Sequence, residues 1–186
     1  MSTTHNVAVL VGSLRKESFS RKLAKTMVGM APPALNLEIL EIGNLPLYNQ
    51  DDDANPPAAS AAFKQQVQKA DAVLFVTPEY NRSVPGVLKN AIDIASRPYG
   101  KSAWSGKPGA VISNSPGTVG GFGANHALRQ SLVFLNVPAM PQPEAYIGGI
   151  AGMFDDKGTL TSDSTREFLQ KFLAAFAQWV ERNAPK

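Results

Sequence analysis

The sequence predicts an alternating α/β protein: a parallel sheet with helices packed on both faces. Two runs carry that reading, VAVLV at 7–11 and AVLFV at 72–76. Both are continuously apolar rather than alternating, as strands buried on both faces require. Helix-length segments separate the runs, and glycine or proline clusters punctuate nearly every junction. Strand and helix alternate five times without an internal repeat or a linker, which implies a parallel sheet joined by right-handed crossovers. The 186 residues suit a single domain over 1–186, large enough to bury roughly 70% of its unfolded surface.

The first strand, 7–11, ends at Gly12, and a helix is expected over 20–30, stopped by Pro32 and Pro33. A second strand is expected over 37–42. The segment 44–57 is rich in Pro, Asn and Asp, and its length makes it a functional suspect. A helix over 58–70 places Phe63 and Val67 on one face. The strand at 72–76 ends before Pro78, which cannot continue a central strand. Ser83 is read as the cap of the next helix, with Pro85 near its first turn and its end near Ser96. Strand four covers 110–113 and is followed by a glycine loop and a helix over 124–135. A short fifth strand is placed at 139–140, hemmed in by prolines. In the last helix Phe168, Leu169, Phe172, Leu173, Phe176, Trp179 and Val180 form one apolar stripe, read as core packing.

Composition excludes several functions. The chain has no cysteine, so disulfides, thiolate metal sites and a cysteine nucleophile are absent, and a reducing cytoplasm is the fitting location. Only two histidines, His5 and His126, are present, too few and too separated for a usual zinc site. A net charge of +3 with scattered Lys and Arg gives no nucleic-acid footprint. Residues 1–6 lack the basic region of a signal peptide. Residues 108–128 carry no Asp, Glu, Lys or Arg, yet their glycines, prolines and asparagines would be unsatisfied in lipid. They read better as strand, glycine loop and helix start, so no membrane partner is expected.

In such sheets ligands bind beyond the carboxyl ends of strands where strand order reverses. The loops after strands one, three and four therefore carry the function. The first offers the hydroxyls of Ser13, Ser18 and Ser20 with the Arg15 guanidinium just before a helix, where free N–H groups and the dipole favour an anion. A dinucleotide fingerprint would need glycine at Leu14 and Glu17, and a P-loop would need glycine at Ala95. The second runs from Thr77 to Gly86; two prolines stiffen it, and Tyr80 can stack on a flat heteroaromatic ring. The third, from Ser115 to Gly123, lets backbone approach a ligand closely. Ser113 occupies the glycine place of a nucleophile elbow around Ser115, and no histidine follows Asp155, so a serine hydrolase is not supported. A phospho-receiver would need acids where Gly12-Ser13 and Thr77-Pro78 stand.

These loops, Gly12-Ser13-Leu14-Arg15 with Ser18, Pro78-Glu79-Tyr80-Asn81 with Ser83-Val84-Pro85-Gly86 and Leu88-Lys89-Asn90-Ala91-Ile92-Asp93, and Gly120-Gly121, resemble the NADPH-dependent FMN reductase family. The bacterial chromate and quinone reductase branch is the nearest in pattern. The resemblance covers nearly the whole chain. It implies a flavodoxin-like three-layer α/β/α sandwich with sheet order 2-1-3-4-5 that holds FMN noncovalently. On that resemblance Ser13, Arg15, Ser18, Phe19 and Ser20 would surround the phosphate. Pro78, Glu79, Tyr80, Asn81 and Arg82 would hold the isoalloxazine, and Ser115 would contact it from the third loop.

The implied activity is ping-pong hydride transfer from NADPH or NADH through FMN to quinones, with chromate, azo and nitro compounds as further acceptors. The cofactor carries that chemistry, so no side chain is assigned a catalytic role. Related chains assemble as homo-oligomers, dimers or tetramers. Three positions depart from the family pattern. Ser20 replaces Asn, Arg82 stands where relatives commonly have Tyr, and Gly123 where some have Arg. In those relatives the Tyr, the Arg and a Glu corresponding to Glu144 join subunits of a tetramer, and Arg82 would supply the cation that Gly123 lacks. The alternative function is a flavodoxin-type electron carrier. Such carriers are usually acidic, whereas this chain has an isoelectric point near 9.2.

Overall fold

The computed structural model describes residues 4–184. Its five strands are β1 (His5–Val11), β2 (Leu35–Leu40), β3 (Ala72–Thr77), β4 (Gly109–Asn114) and β5 (Ala145–Ile147). All pair in parallel in the order β2-β1-β3-β4-β5. Five α-helices alternate with them: α1 (Phe19–Gly29), α2 (Ala58–Lys69), α3 (Gly86–Ser96), α4 (Phe122–Phe134) and α5 (Asp163–Asn183). This is the flavodoxin-like architecture and strand order that the resemblance implied.

The apolar runs split by parity, as a pleated strand demands. Val7, Val9, Val11, Leu74, Val76, Ala110 and Ile112 pack with Leu23 and Met27 of α1 and the Leu169–Phe172–Phe176–Val180 stripe of α5. Ala8, Leu10, Val73, Phe75 and Val111 face α2, α3 and α4 through Phe63, Val67, Leu88, Leu128 and Leu132. Trp104 anchors that second layer fully buried, its indole N–H donating to the Ile92 carbonyl at 2.9 Å. Each such buried apolar side chain contributes about 1.5–3 kcal/mol. β3 and β4 are buried at every position; β3 therefore reads as an apolar run, whereas β4 buries Ser113 and Asn114 at its carboxyl end.

Three expectations change. The fifth strand lies at Ala145–Ile147, not at 139–140; Ala139 makes only an isolated bridge with Gly109. Pro138, Pro141 and Pro143 remove the N–H groups that a ladder there would need. Ser83 does not cap α3; its backbone is used in a hairpin, and the helix begins at Gly86 behind Pro85. β2 starts and ends two residues earlier than expected, leaving Ile42 buried in the following loop.

That loop is strapped to α3. The Asn90 carboxamide accepts from the Tyr48 N–H at 2.8 Å and donates to the Pro46 carbonyl at 2.9 Å. A single 3₁₀ turn at Gln50–Asp52, capped by Asn49, is its only regular element.

Candidate functional site

After β1 the chain turns to β2 on one side, and after β2 it crosses to β3 on the other, so strand order reverses between β1 and β3. The loops that leave these two strands touch. The Gly12 N–H donates to the Val76 carbonyl at 2.9 Å, and a Cβ on Gly12 would lie 2.8 Å from Thr77 Oγ1 and 3.3 Å from Pro78 Cδ. Glycine is needed here for close approach rather than for its φ.

Beyond Gly12 the loop climbs to the start of α1. Ser18 is the N-cap and its hydroxyl accepts from the Arg21 N–H at 3.1 Å. The N–H groups of Phe19 and Ser20, in the first turn, have no carbonyl one turn earlier to bond. Ser13 is buried and its hydroxyl accepts from the Arg15 N–H at 3.4 Å. Arg15 is exposed, its guanidinium 6.0 Å from the Phe19 ring centroid, and it makes no ion pair among the described residues.

The first turn of α1 holds no acid but does hold Arg21 and Lys22. Arg21 forms a two-pronged bond with Glu41 at 2.6 and 2.7 Å, which holds that carboxyl below its ordinary range. Lys22 pairs with Glu17 at 2.8 Å and lowers its pKa in the same way. Those cations are spoken for; Arg15 is not.

Ser20 sits beneath this turn. It is 1% exposed, and its hydroxyl lies 3.1 Å from Asn114 Oδ1 and 3.0 Å from Nδ2 at the end of β4. The same carboxamide donates to the Thr77 carbonyl at 3.3 Å. Asn114 thus ties the first turn of α1, the end of β3 and the end of β4 together. Sequence reasoning missed it, because it lies 94 residues from Ser20 and looks like any strand-end asparagine.

The loop after β3 is a two-residue hairpin. Tyr80 and Ser83 exchange backbone hydrogen bonds at 3.1 and 3.0 Å, while Asn81 and Arg82 take φ of +50° and +64°. Positive φ at both central positions is the type I′ arrangement, unusual without glycine and costing about 1–2 kcal/mol per residue. The hairpin sets Tyr80, 48% exposed, against a groove shared with Gly12, Leu14, Arg15 and Pro85. Arg15 and Tyr80, from opposite loops, therefore line one crevice; the other expected contacts lie outside that lining, Ser18 in an adjoining hollow with Lys16 and Arg21 and Ser115 on the neighbouring loop.

Glu79 points elsewhere. Its carboxylate accepts from the Ala124 N–H at 3.1 Å, in the first turn of α4, and Arg82 Nη1 stands 3.6 Å from its other oxygen. A Cβ on Gly123 would come 2.8 Å from the Arg82 carbonyl oxygen and 2.9 Å from the Glu79 carboxylate. Arg82 and Gly123, two of the three positions read as departing from the family pattern, lie against each other.

In the loop after β4 the Ser115 hydroxyl accepts from the Gly117 N–H at 3.1 Å, and its backbone bonds Ile147 and Ile150. Beside it stands an aromatic cluster that sequence reasoning also missed. His126 Nε2 lies 2.8 Å from the Tyr146 hydroxyl, and the half-exposed Phe122 ring lies 4.2 Å from that of His126. Burial, then Glu144, pushes the Tyr146 phenol above its ordinary range.

A doubly wound sheet, a crevice at the strand reversal and a helix start with unpaired donors define a flavodoxin-like mononucleotide-binding architecture. Comparison with known proteins agrees. Residues 5–152 match the family profile described as NADPH-dependent FMN reductase. A quinone reductase of Pseudomonas putida is 63% identical over 184 residues, 98% of each chain. A 2-hydroxy-1,4-benzoquinone reductase of a Burkholderia species is 48% identical, covering 94% of this chain and 95% of its own. The solved structure of FerB from Paracoccus denitrificans, a flavoenzyme NAD(P)H:(acceptor) oxidoreductase, superposes with a TM-score of 0.91 at 44% identity, over 98% of this chain and 100% of its own. The chain belongs to the NADPH-dependent FMN reductase family: it is an oxidoreductase that uses FMN, with NAD(P)H as co-substrate.

Proposed function

We propose that the chain, acting as one FMN-binding domain over 1–186, is a quinone reductase whose FMN occupies the crevice between the loops after β1 and β3. The observation that carries the reading is the start of α1: unpaired first-turn N–H groups, an exposed Arg15 without an acid, and Ser13 and Ser18 alongside. That donor set suits a phosphate monoester. Bound there, FMN supplies a two-electron carrier that accepts hydride from NAD(P)H and delivers it to a quinone.

Arg15, Ser13, Ser18 and the N–H groups of Phe19 and Ser20 would hold the phosphate. The Ser20 hydroxyl, engaged with Asn114, positions the loop instead of touching the ligand. Tyr80 and Pro78 would grip the ring, with Asn81 and Arg82 setting the hairpin's turn. Glu79, its carboxylate spent on α4, would contribute through its backbone, and Ser115 through donation to the ring's carbonyl edge. Quinone reduction is supported by the names of the P. putida and Burkholderia relatives. They favour a reductase over an electron carrier.

Phe122, Val133 and Phe134 are 47–81% exposed along α4, with Tyr99 at 81% nearby. These apolar surfaces support a homo-oligomer, and Val133→Glu with Phe134→Glu is expected to reduce the sedimenting mass. Among the described residues no helix is long and apolar enough to cross a membrane, and a cytoplasmic setting is part of the proposal.

The activity is tested by mixing FMN-loaded protein anaerobically with NADH or NADPH, then adding benzoquinone. Loss of flavin absorbance followed by its recovery is expected; chromate, azo and nitro acceptors belong in the same assay. Failure of either nicotinamide to bleach the flavin would leave an electron carrier.

A further inference from the structure

Away from the flavin crevice, the strap formed by the loop after β2 roofs a cavity against α2 and α3. Pro46, Tyr48, Pro57, Ala61 and Ile94 give it apolar walls. Two cations enter it, Lys64 from α2 and Arg97 from the end of α3. Neither forms an ion pair among the described residues. Lys64 donates only to the Arg97 carbonyl. The Arg97 guanidinium lies 5.9 Å from the Tyr48 ring centroid, and its Nε is buried without a hydrogen-bond partner.

Two acids, Asp52 and Asp53, also line the cavity, but neither comes within ion-pair distance of Lys64 or Arg97. Asp53 accepts from the Tyr48 hydroxyl at 3.2 Å, and Asp52 makes no ion pair. Burial pushes the Lys64 ammonium below its ordinary range and Lys101 adds to that push, while the Asp53 charge opposes it. Two partly buried cations held without a direct ion pair leave donor positions that an anion can fill. The guanidinium can receive a carboxylate in two-pronged fashion, while the proline and tyrosine walls suit a flat apolar body.

The cavity is separate from the crevice. Ile94 stands seven residues beyond Val87, which borders the crevice, so about 10 Å of α3 divides them. Between them the strap is bonded down on Asn90.

We propose that this cavity is a second small-molecule site, selective for aromatic carboxylates, in which Lys64 and Arg97 take the carboxylate and the strap covers the ring. It does not depend on the flavin crevice or its chemistry.

The test uses FMN-loaded protein, benzoate as probe and benzamide as its neutral counterpart. In an NMR titration benzoate is expected to bind saturably, to shift backbone amides in 46–61 and 94–97, and to leave the flavin absorbance unchanged. Benzamide is expected to bind at least tenfold more weakly. Lys64→Gln with Arg97→Gln should abolish the preference for benzoate, and Ala61→Phe, which fills the cavity and keeps both cations, should abolish binding. Equal affinity for the two probes, or shifts confined to the crevice, would overturn the proposal. The probe comparison on the unaltered protein decides the matter if the variants do not fold.

Discussion

Two helices begin at the carboxyl edge of the same sheet, and they meet their N-terminal charge in opposite ways. The start of α4 is filled from within. Gly121 offers no side-chain cap, and the Glu79 carboxylate crosses from the β3 loop to the Ala124 N–H, so an internal anion answers the helix dipole. The start of α1 is left open. It has its own Ser18 cap and no acid in its first turn; Arg21 and Lys22 there are matched by Glu41 and Glu17, while Arg15 and Lys16 make no ion pair among the described residues. Positive charge at that end of a helix destabilises it unless an anion arrives. The folded chain therefore carries a local cost at one helix start that it has removed at the other, which is the contrast behind the proposed phosphate site. A helix N-terminus is a ligand site only where the protein has not already filled it.

Removing the donors from the open end gives the largest expected effect. Arg15→Glu combined with Ser18→Ala should weaken FMN binding at least a hundredfold, roughly 3 kcal/mol of charge-assisted contact. Quenching of flavin fluorescence on titration measures it, and unchanged affinity would remove the crevice from consideration. Next comes the filled end. Gly123→Ala forces a methyl against the Arg82 carbonyl and the Glu79 carboxylate, an overpacking worth about 1–3 kcal/mol. Thermal melting of the apoprotein should drop by roughly 2–4 °C per kcal/mol, whereas a melt identical to wild type would show that the hairpin yields freely.

Glu79→Gln keeps an oxygen for the Ala124 N–H and loses only the charge, so its cost should be about 0.3–1 kcal/mol. Glu79→Ala must then be clearly worse; parity between the two would mean that charge, not the hydrogen bond, fills α4. The smallest effect lies at Arg21 and Glu41. The Glu41 carboxyl is held below its ordinary range in the folded state, so the pair's contribution is present above about pH 4.3 and is lost as pH falls through the lower folded value. The side chains are 30% and 65% exposed, which limits the pair to about 0–1 kcal/mol after solvent screening. Acid melts of Glu41→Gln should be flatter by that amount, and a slope equal to wild type would rule the pair out as a source of acid sensitivity.

The architecture was legible because burial on both faces writes itself as VAVLV and AVLFV, and because glycine and proline mark nearly every exit from a strand. The loop after β1 stood out in the sequence as the proposed phosphate turn because serine and arginine before a helix have a local chemical meaning. β5 was not: the three residues Ala145–Ile147 are too few to give any periodic signal, and the apolar residues before them lie among prolines. The Ser20–Asn114 and Glu79–Ala124 bonds join residues 94 and 45 positions apart. Glu79 looked like a ring contact because its neighbours in sequence do face the crevice; only the tertiary structure turns its carboxylate away.

The seam between the loops that follow β4 and β5 is made of bare backbone. Gly120 lies on Tyr146, where a Cβ would come within 2.6 Å of the carbonyl carbon, and Gly148 lies on Thr118, where it would come within 2.3 Å of the oxygen. A strand of three residues has little ladder of its own, so this interlocking of two main chains holds the last ribbon of the sheet in place. Libraries randomised at Gly120 and Gly148 should return glycine alone, and grafting a longer specificity loop onto this edge would have to begin outside both positions.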